Sequence, residues 1–145
     1  MSSDFDSFLD KTVQRLGEDE RVRQIALQDE EEQKKLFLRQ FRDVAQRVAL
    51  PVFNRVLARQ TKQFRVEVSE SPEAVSLHIT ITNQGSKDIR RALRLGAEHR
   101  TKRIYAAYDT EYGSSSLDTE TLSPEEITEE RVEELVRELI ERPRR

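Results

Sequence analysis

The longest stretch of helix-type apolar spacing in the chain lies between Glu18 and Thr61. Its second half carries an apolar row at steps of three and four residues, formed by Phe37, Phe41, Val44, Val48, Val52 and Val56. Such a row lies along one face of an α-helix. The run 28–35 has no apolar residue, but its glutamates precede lysines by four residues, which favours helix. The pattern predicts one long helix over residues 18–61.

Pro51 interrupts this predicted helix. Proline has no amide hydrogen, and its ring crowds the carbonyl four residues earlier, here that of Arg47. Two structures are compatible with the sequence: a kink within one helix, or a break into two helices that meet at Leu50.

Two further helices are predicted at the ends of the chain. Apolar residues at helical spacing indicate a helix over 4–16, and Gly17 fits its C-cap. Ser123, followed by Pro124 and two acids, has the pattern of a capped helix start, which predicts a helix over 124–141.

The period of the pattern changes to two after Thr61. Alternating apolar and polar residues predict strands over 64–69, 74–82 and 102–109. Residues 87–100 are compatible with a short helix ending near Gly96 or with a loop, and the polar residues 112–121 predict a loop. The sequence thus predicts a single α+β domain over 1–145, with long N-terminal helices, a small three-stranded antiparallel sheet and a C-terminal helix.

The composition points to a thin core. Charged residues make up 37% of the chain, against about 25% in a typical domain, and hydrophobic residues only 35%. Such a chain is either elongated or completes its core against a second copy. The six apolar residues that begin at Phe37 are therefore the predicted seam of a homodimer. With no cysteine, no secretory pattern at the N-terminus and no long apolar run, we expect a soluble cytoplasmic protein that does not enter a membrane.

One segment concentrates positive charge. Residues 87–103 hold seven basic and two acidic side chains, whereas 104–145 hold five basic and twelve acidic ones. Arginine forks bind phosphate, so the segment is a candidate polyanion site. Pairing with the acidic C-terminal region, within the chain or across a dimer, is the alternative. The candidate residues are Lys87, Arg90, Arg91, Arg94, Arg100, Lys102 and Arg103.

Catalytic and cofactor patterns are weak in this sequence. The two histidines, His78 and His99, stand at no metal-ligand spacing, and the four glycines form no phosphate-binding loop. We therefore expect no enzyme, no catalytic residue, no metal and no cofactor.

Two functions are compatible with these patterns. The first is a non-enzymatic, homo-oligomeric interaction protein, acting as an adaptor or chaperone with itself or another protein as partner. The second is a nucleic-acid-associated protein that uses residues 87–103. The predicted order of helix, three strands and helix resembles that of small bacterial nucleoid-associated proteins in element order alone, with no shared motif.

Overall fold

The computed structural model describes residues 2–110 and 113–141. The chain divides into two compact units, Met1–Leu36 and Phe37–Arg145. The fold is α+β, as the sequence predicts: a long N-terminal helix, an antiparallel sheet and a C-terminal helix follow one another along the chain. The number of strands, however, is not the predicted one.

The first helix, α1, spans Ser2–Val44. The prediction that a helix ends at Gly17 is therefore wrong, because Gly17 lies in the interior of α1. Glycine inside a helix costs about 1 kcal/mol relative to alanine, which a helix with many good helix formers tolerates.

Pro51 lies within a helical path and does not end it. A π-helical turn spans Ala45–Ala49, and α2 follows directly over Leu50–Leu57. In this turn the N–H of Leu50 donates to the carbonyl of Ala45, five residues earlier. A π turn shifts the hydrogen-bond ladder by one residue, and such turns are rare and occur mostly as single turns inside α-helices. The helical path ends at Leu57, four residues before the predicted end at Thr61.

The sheet has five antiparallel strands in the order of the sequence, so the prediction of three strands is wrong. The two unforeseen strands, β3 and β5, flank the predicted third one. The strands are β1 Phe64–Glu70, β2 Ala74–Ile81, β3 Ile89–Glu98, β4 Arg103–Thr110 and β5 Gly113–Leu122.

Neither β3 nor β5 shows the regular alternation of apolar and polar residues that predicts a strand. In β3 the alternation is broken by Arg91 on the buried face and by Ala92 and Gly96 on the other face, so the segment resembles a short helix. In β5 almost all residues are polar, and the register against β4 shifts between Ala107 and Asp109. The strand forms through main-chain pairing with β4, which side-chain periodicity does not reveal. Tyr112, part of the predicted loop, lies outside the described residues.

The two faces of the sheet differ in polarity. The inner face packs on the helices and carries the core, with fully buried side chains such as Leu77, Leu93 and Ile104. The outer face presents the alternate residues, which include Glu67, His78, Arg90, Arg94 and Asp109.

The last helix, α3, spans Glu129–Glu141, so it begins five residues later than predicted. The capping box of Ser123 and Glu126 is present, but it closes a 3-10 turn over Pro124–Glu126. The cap of α3 is Thr128, whose hydroxyl accepts the N–H of Arg131 at 3.2 Å. Val132, Leu135, Val136 and Leu139 face the core, and Leu135 and Leu139 are fully buried.

Candidate interaction surfaces

Most of the exposed large apolar side chains belong to the N-terminal helical segment. Ten large apolar side chains of the described residues are exposed, and nine of these lie within residues 5–36. Their exposed fractions run from 42% at Leu9 to 67% at Val13. Exposed apolar side chains concentrated in one segment indicate a candidate interaction site. The nine residues are Phe5, Phe8, Leu9, Val13, Leu16, Val22, Ile25, Leu27 and Leu36.

The predicted dimer seam lies in the core of the second unit. Phe37, Phe41 and Val52 are only 2 to 4% exposed, and they belong to the same core cluster as the inner face of the sheet. Val44, Val48 and Val56 are half-buried and pack against this cluster. The apolar row thus covers the sheet of its own chain, because the sheet offers an apolar face of five strands to bury. The exposed large apolar side chains lie instead within residues 5–36, apart from Ile140.

The basic segment is divided by the alternation of β3. Arg91 points to the inner face and is 8% exposed, and its guanidinium donates to the carbonyls of Leu139 at 2.9 Å and Ile140 at 3.0 Å. A cation at the last carbonyls of a helix satisfies them and complements the helix dipole. Arg91 therefore stabilises the end of α3 and is not on the exposed basic surface.

Three of the basic candidates lie on or beside the outer face. Arg90 and Arg94 are exposed on β3, and Lys87 is exposed in the preceding turn. Lys87 and Arg90 line one groove, Arg94 lines an adjoining groove, and His78 and Ala92 line both. The structure thus brings these three cations to one side of the sheet.

The remaining candidates lie at the β3–β4 turn. Arg100 and Lys102 are exposed there, and Lys102 takes a left-handed backbone conformation with φ of 55°. Arg103 donates to the carbonyl of Thr121 at 3.2 Å and lies 3.7 Å from the carboxylate of Glu126. Part of the expected pairing between basic segment and acidic C-terminal region is therefore present within the chain.

Acidic side chains interrupt the basic surface. In the register of the sheet, Glu67 lies opposite His78, His78 opposite Ala92, and Ala92 opposite Asp109. The small side chain of Ala92 leaves a hollow between His78 and Asp109. The sequence pattern does not predict this row, because it depends on β3 being a strand. Among residues 2–110 and 113–141, no three histidine or carboxylate side chains are grouped closely enough to hold a metal ion.

A smaller apolar groove lies between α2, α3 and β1. Its lining includes Val56, Phe64 and Ile140, and the last of these is 39% exposed. Arg55 spans one side of the groove through ion pairs with Glu129, at 3.4 Å, and with Glu133. These ion pairs join α2 to α3, so the groove lies along a packing contact between two helices of the same chain.

No family model, curated protein or solved structure matches this chain. Among the helices that the structure describes, none has both the length and the apolar character needed to cross a bilayer. Function must therefore be inferred from the surfaces of the chain. The most distinctive of these is the segment 5–36, which carries nine of the ten exposed large apolar side chains of the described residues.

Proposed function

We propose that this chain is a non-enzymatic, homo-oligomeric interaction protein of the cytoplasm, an adaptor or chaperone-like module. Copies meet through apolar residues within the segment Phe5–Leu16. The observation that carries the proposal is the exposure of large apolar side chains there, nine of ten in the described residues falling between Phe5 and Leu36. Water around such side chains is released when a second apolar surface covers them, which favours association.

The core of the second unit supports the same function. Phe37–Arg145 holds the buried cluster and the sheet, and its apolar row is already covered. The side chains that a partner can cover are therefore concentrated in residues 5–27. In this proposal the second unit forms the folded core, and the first unit forms the contact between two copies.

Solution mass by light scattering tests this proposal. We expect the wild-type chain to exceed its 17.0 kDa monomer mass in a concentration-dependent way. The double variant Phe8→Ser and Leu16→Ser should return it to the monomer mass, while Gln14→Ser, on the opposite side of the helix, should not. A wild-type chain that stays monomeric at all concentrations would contradict the proposal.

A second candidate function rests on the outer face. Lys87, Arg90 and Arg94 border two adjoining grooves, which supports binding of a nucleic acid or another polyanion. Binding should weaken steeply as salt rises, because phosphate contacts release counterions. The variant Arg90→Glu and Arg94→Glu should abolish it, and Arg21→Glu, in the first unit, is the control. Binding that persists in the double variant would exclude this surface.

A further inference from the structure

We infer that the N-terminal segments of two copies pair in parallel and in register, with Phe5, Leu9, Thr12 and Leu16 along the seam. This inference rests on the proposed self-association and adds the orientation of the two copies. The four residues follow one another at steps of four, three and four, which is the spacing of alternating core positions in a two-helix coiled coil.

The side chains along this seam suit close helix contact. Phe5 is 64% exposed and Leu16 58% exposed, so both have apolar area to bury. Thr12 is the one polar member, and its hydroxyl donates to the carbonyl of Phe8 in the same helix at 2.8 Å. A threonine whose donor is already satisfied enters an interface at little cost. Asp19 takes the next position in the series, so close apolar contact is confined to Phe5–Leu16.

The orientation follows from the charges beside the seam. Successive residues of a helix turn by about 100°, which places Asp6 and Glu20 directly beside the seam on one side and Arg15 directly beside it on the other. These three side chains are exposed, and Asp4, Asp10 and Lys11 lie farther from the seam. The charged residues directly beside the seam are therefore acidic on one flank and basic on the other.

The two orientations bring different flanks together. In a parallel pair related by a twofold axis along the helices, the acidic flank of each copy faces the basic flank of the other. In an antiparallel pair, each flank faces the same flank of the other copy, which places like charges together. Opposite charges at these flanking positions set helix orientation, so parallel pairing is favoured.

A specific charge pair fits the same orientation. Arg15 and Glu20 are five residues apart, the separation at which flanking residues of neighbouring heptads meet across a parallel pair. Glu20 is exposed and lies 3.7 Å from Arg23 in its own helix. Arg15 of one copy can therefore reach Glu20 of the second copy, and the twofold axis makes the contact twice.

The absence of cysteine from the sequence allows a direct test by disulfide formation. A disulfide needs two Cα atoms within about 7 Å, so it reports which residues face each other. In a parallel pair in register, a single Thr12→Cys variant meets its own copy and forms a covalent dimer. Gln14→Cys, on the far side of the helix, is the matched control. We expect oxidation of Thr12→Cys to be at least about tenfold faster than that of Gln14→Cys, because pairing raises the effective thiol concentration.

A mixed experiment distinguishes the antiparallel pair. Phe5→Cys and Leu16→Cys chains of different mass, mixed in equal amounts, should each form homodimers when the pairing is parallel. Preferential formation of the mixed disulfide would overturn the inference. A wild-type oligomer by light scattering together with equal oxidation rates for Thr12→Cys and Gln14→Cys would overturn the orientation and leave the proposed function standing. A monomeric wild type would overturn both.

A charge exchange gives an independent readout. Arg15→Glu should raise the dissociation constant of the dimer by about threefold, the size expected of an exposed ion pair. Adding Glu20→Arg should restore the wild-type value. Failure of the second change to restore association would contradict the predicted Arg15–Glu20 contact.

Discussion

Arg91 donates from its guanidinium to the main-chain carbonyl of Leu139, 2.9 Å away, and so joins the middle of the sheet to the end of the last helix. The same guanidinium nitrogen also contacts the carbonyl of Ile140. These carbonyls lie in the last turn of α3, where a helix has no N–H partners of its own for them. A residue that the sequence places in a cluster of surface cations is thus part of the core.

Replacing Arg91 should weaken the fold. Arg91→Met keeps much of the side-chain volume but removes the charge and the donors at α3, so we expect the free energy of unfolding to fall by roughly 2 to 3 kcal/mol. Arg90→Met, at the adjacent exposed position, should change it by less than about 0.5 kcal/mol. Urea unfolding followed by circular dichroism measures both. Equal effects of the two changes would show that Arg91 has no special role.

Substitution of a buried and of an exposed phenylalanine should have different effects on the free energy of unfolding. Phe41 is 2% exposed in the second unit, so Phe41→Leu should lower the free energy of unfolding by about 1 to 2 kcal/mol and leave the solution mass unchanged. Phe8 is 63% exposed, so Phe8→Leu should leave stability nearly unchanged. If the Phe41→Leu chain folds but no longer self-associates, the contact between copies involves the apolar row that begins at Phe37 and not the segment that contains Phe8.

Two glycines provide a matched pair for backbone effects. A Cβ added at Gly17 or at Gly85 would meet no atom within 4 Å, so packing does not distinguish them. Gly17 is helical, and Gly17→Ala should increase the helical signal in circular dichroism and stabilise α1 by about 0.5 to 1 kcal/mol. Gly85 has φ of +82°, so Gly85→Ala should destabilise by about 1 kcal/mol or more. Effects of the same sign would contradict these backbone conformations.

Gly96 and Tyr105 should show strong coupling. They are cross-strand neighbours, and a Cβ on Gly96 would overlap the Cζ atom of the Tyr105 ring. Gly96→Ala must therefore displace the ring, which we expect to cost about 1 to 2 kcal/mol and to alter the tyrosine signal in near-UV circular dichroism. In the Tyr105→Ala background the same change should be nearly neutral. Additive effects in this double-mutant cycle would show that the ring does not cover Gly96.

The capping box should make stability depend on pH. The carboxylate of Glu126 accepts hydrogen bonds from the main-chain N–H of Ser123 at 3.1 Å and from its hydroxyl at 2.9 Å, and these bonds lower the pKa of Glu126 from its usual 4.5. A lowered pKa in the folded state means that the unfolded chain binds more protons in this range, so stability rises with pH. The contribution is complete above pH 4.5 and is lost as the pH falls through the folded pKa.

Glu126→Gln isolates that contribution. We expect the variant to be less stable than wild type at neutral pH, and the difference should shrink as the pH falls below 4.5. Thermal unfolding at a series of pH values measures it. Ser123→Ala, which removes the hydroxyl donor and keeps the N–H, should show a smaller version of the same trend. A difference that stays constant down to strongly acidic pH would contradict the hydrogen-bonded carboxylate.

Local patterns were sufficient for some of this architecture. Alternation in β1 and β2 and the apolar row that begins at Phe37 identified their elements, because in each of them one face is buried and the other is not. The α+β class followed from that order. Gly17 led to a wrong helix end, since a glycine after an apolar stripe is typical of a C-cap whether or not the helix stops there.

Tertiary structure decided the rest. The strands β3 and β5 form because β4 supplies hydrogen-bonding partners on both of its edges, and no periodicity in Ile89–Glu98 or Gly113–Leu122 reveals those partners. Once β3 is a strand, its alternation sends Arg91 inward to α3 and leaves Arg90 and Arg94 outside. The patterns along the chain were sufficient for the α+β class and for the positions of the charges. Strand pairing placed some of those charges on one surface and others inside, since a shift of one residue moves a side chain to the opposite face.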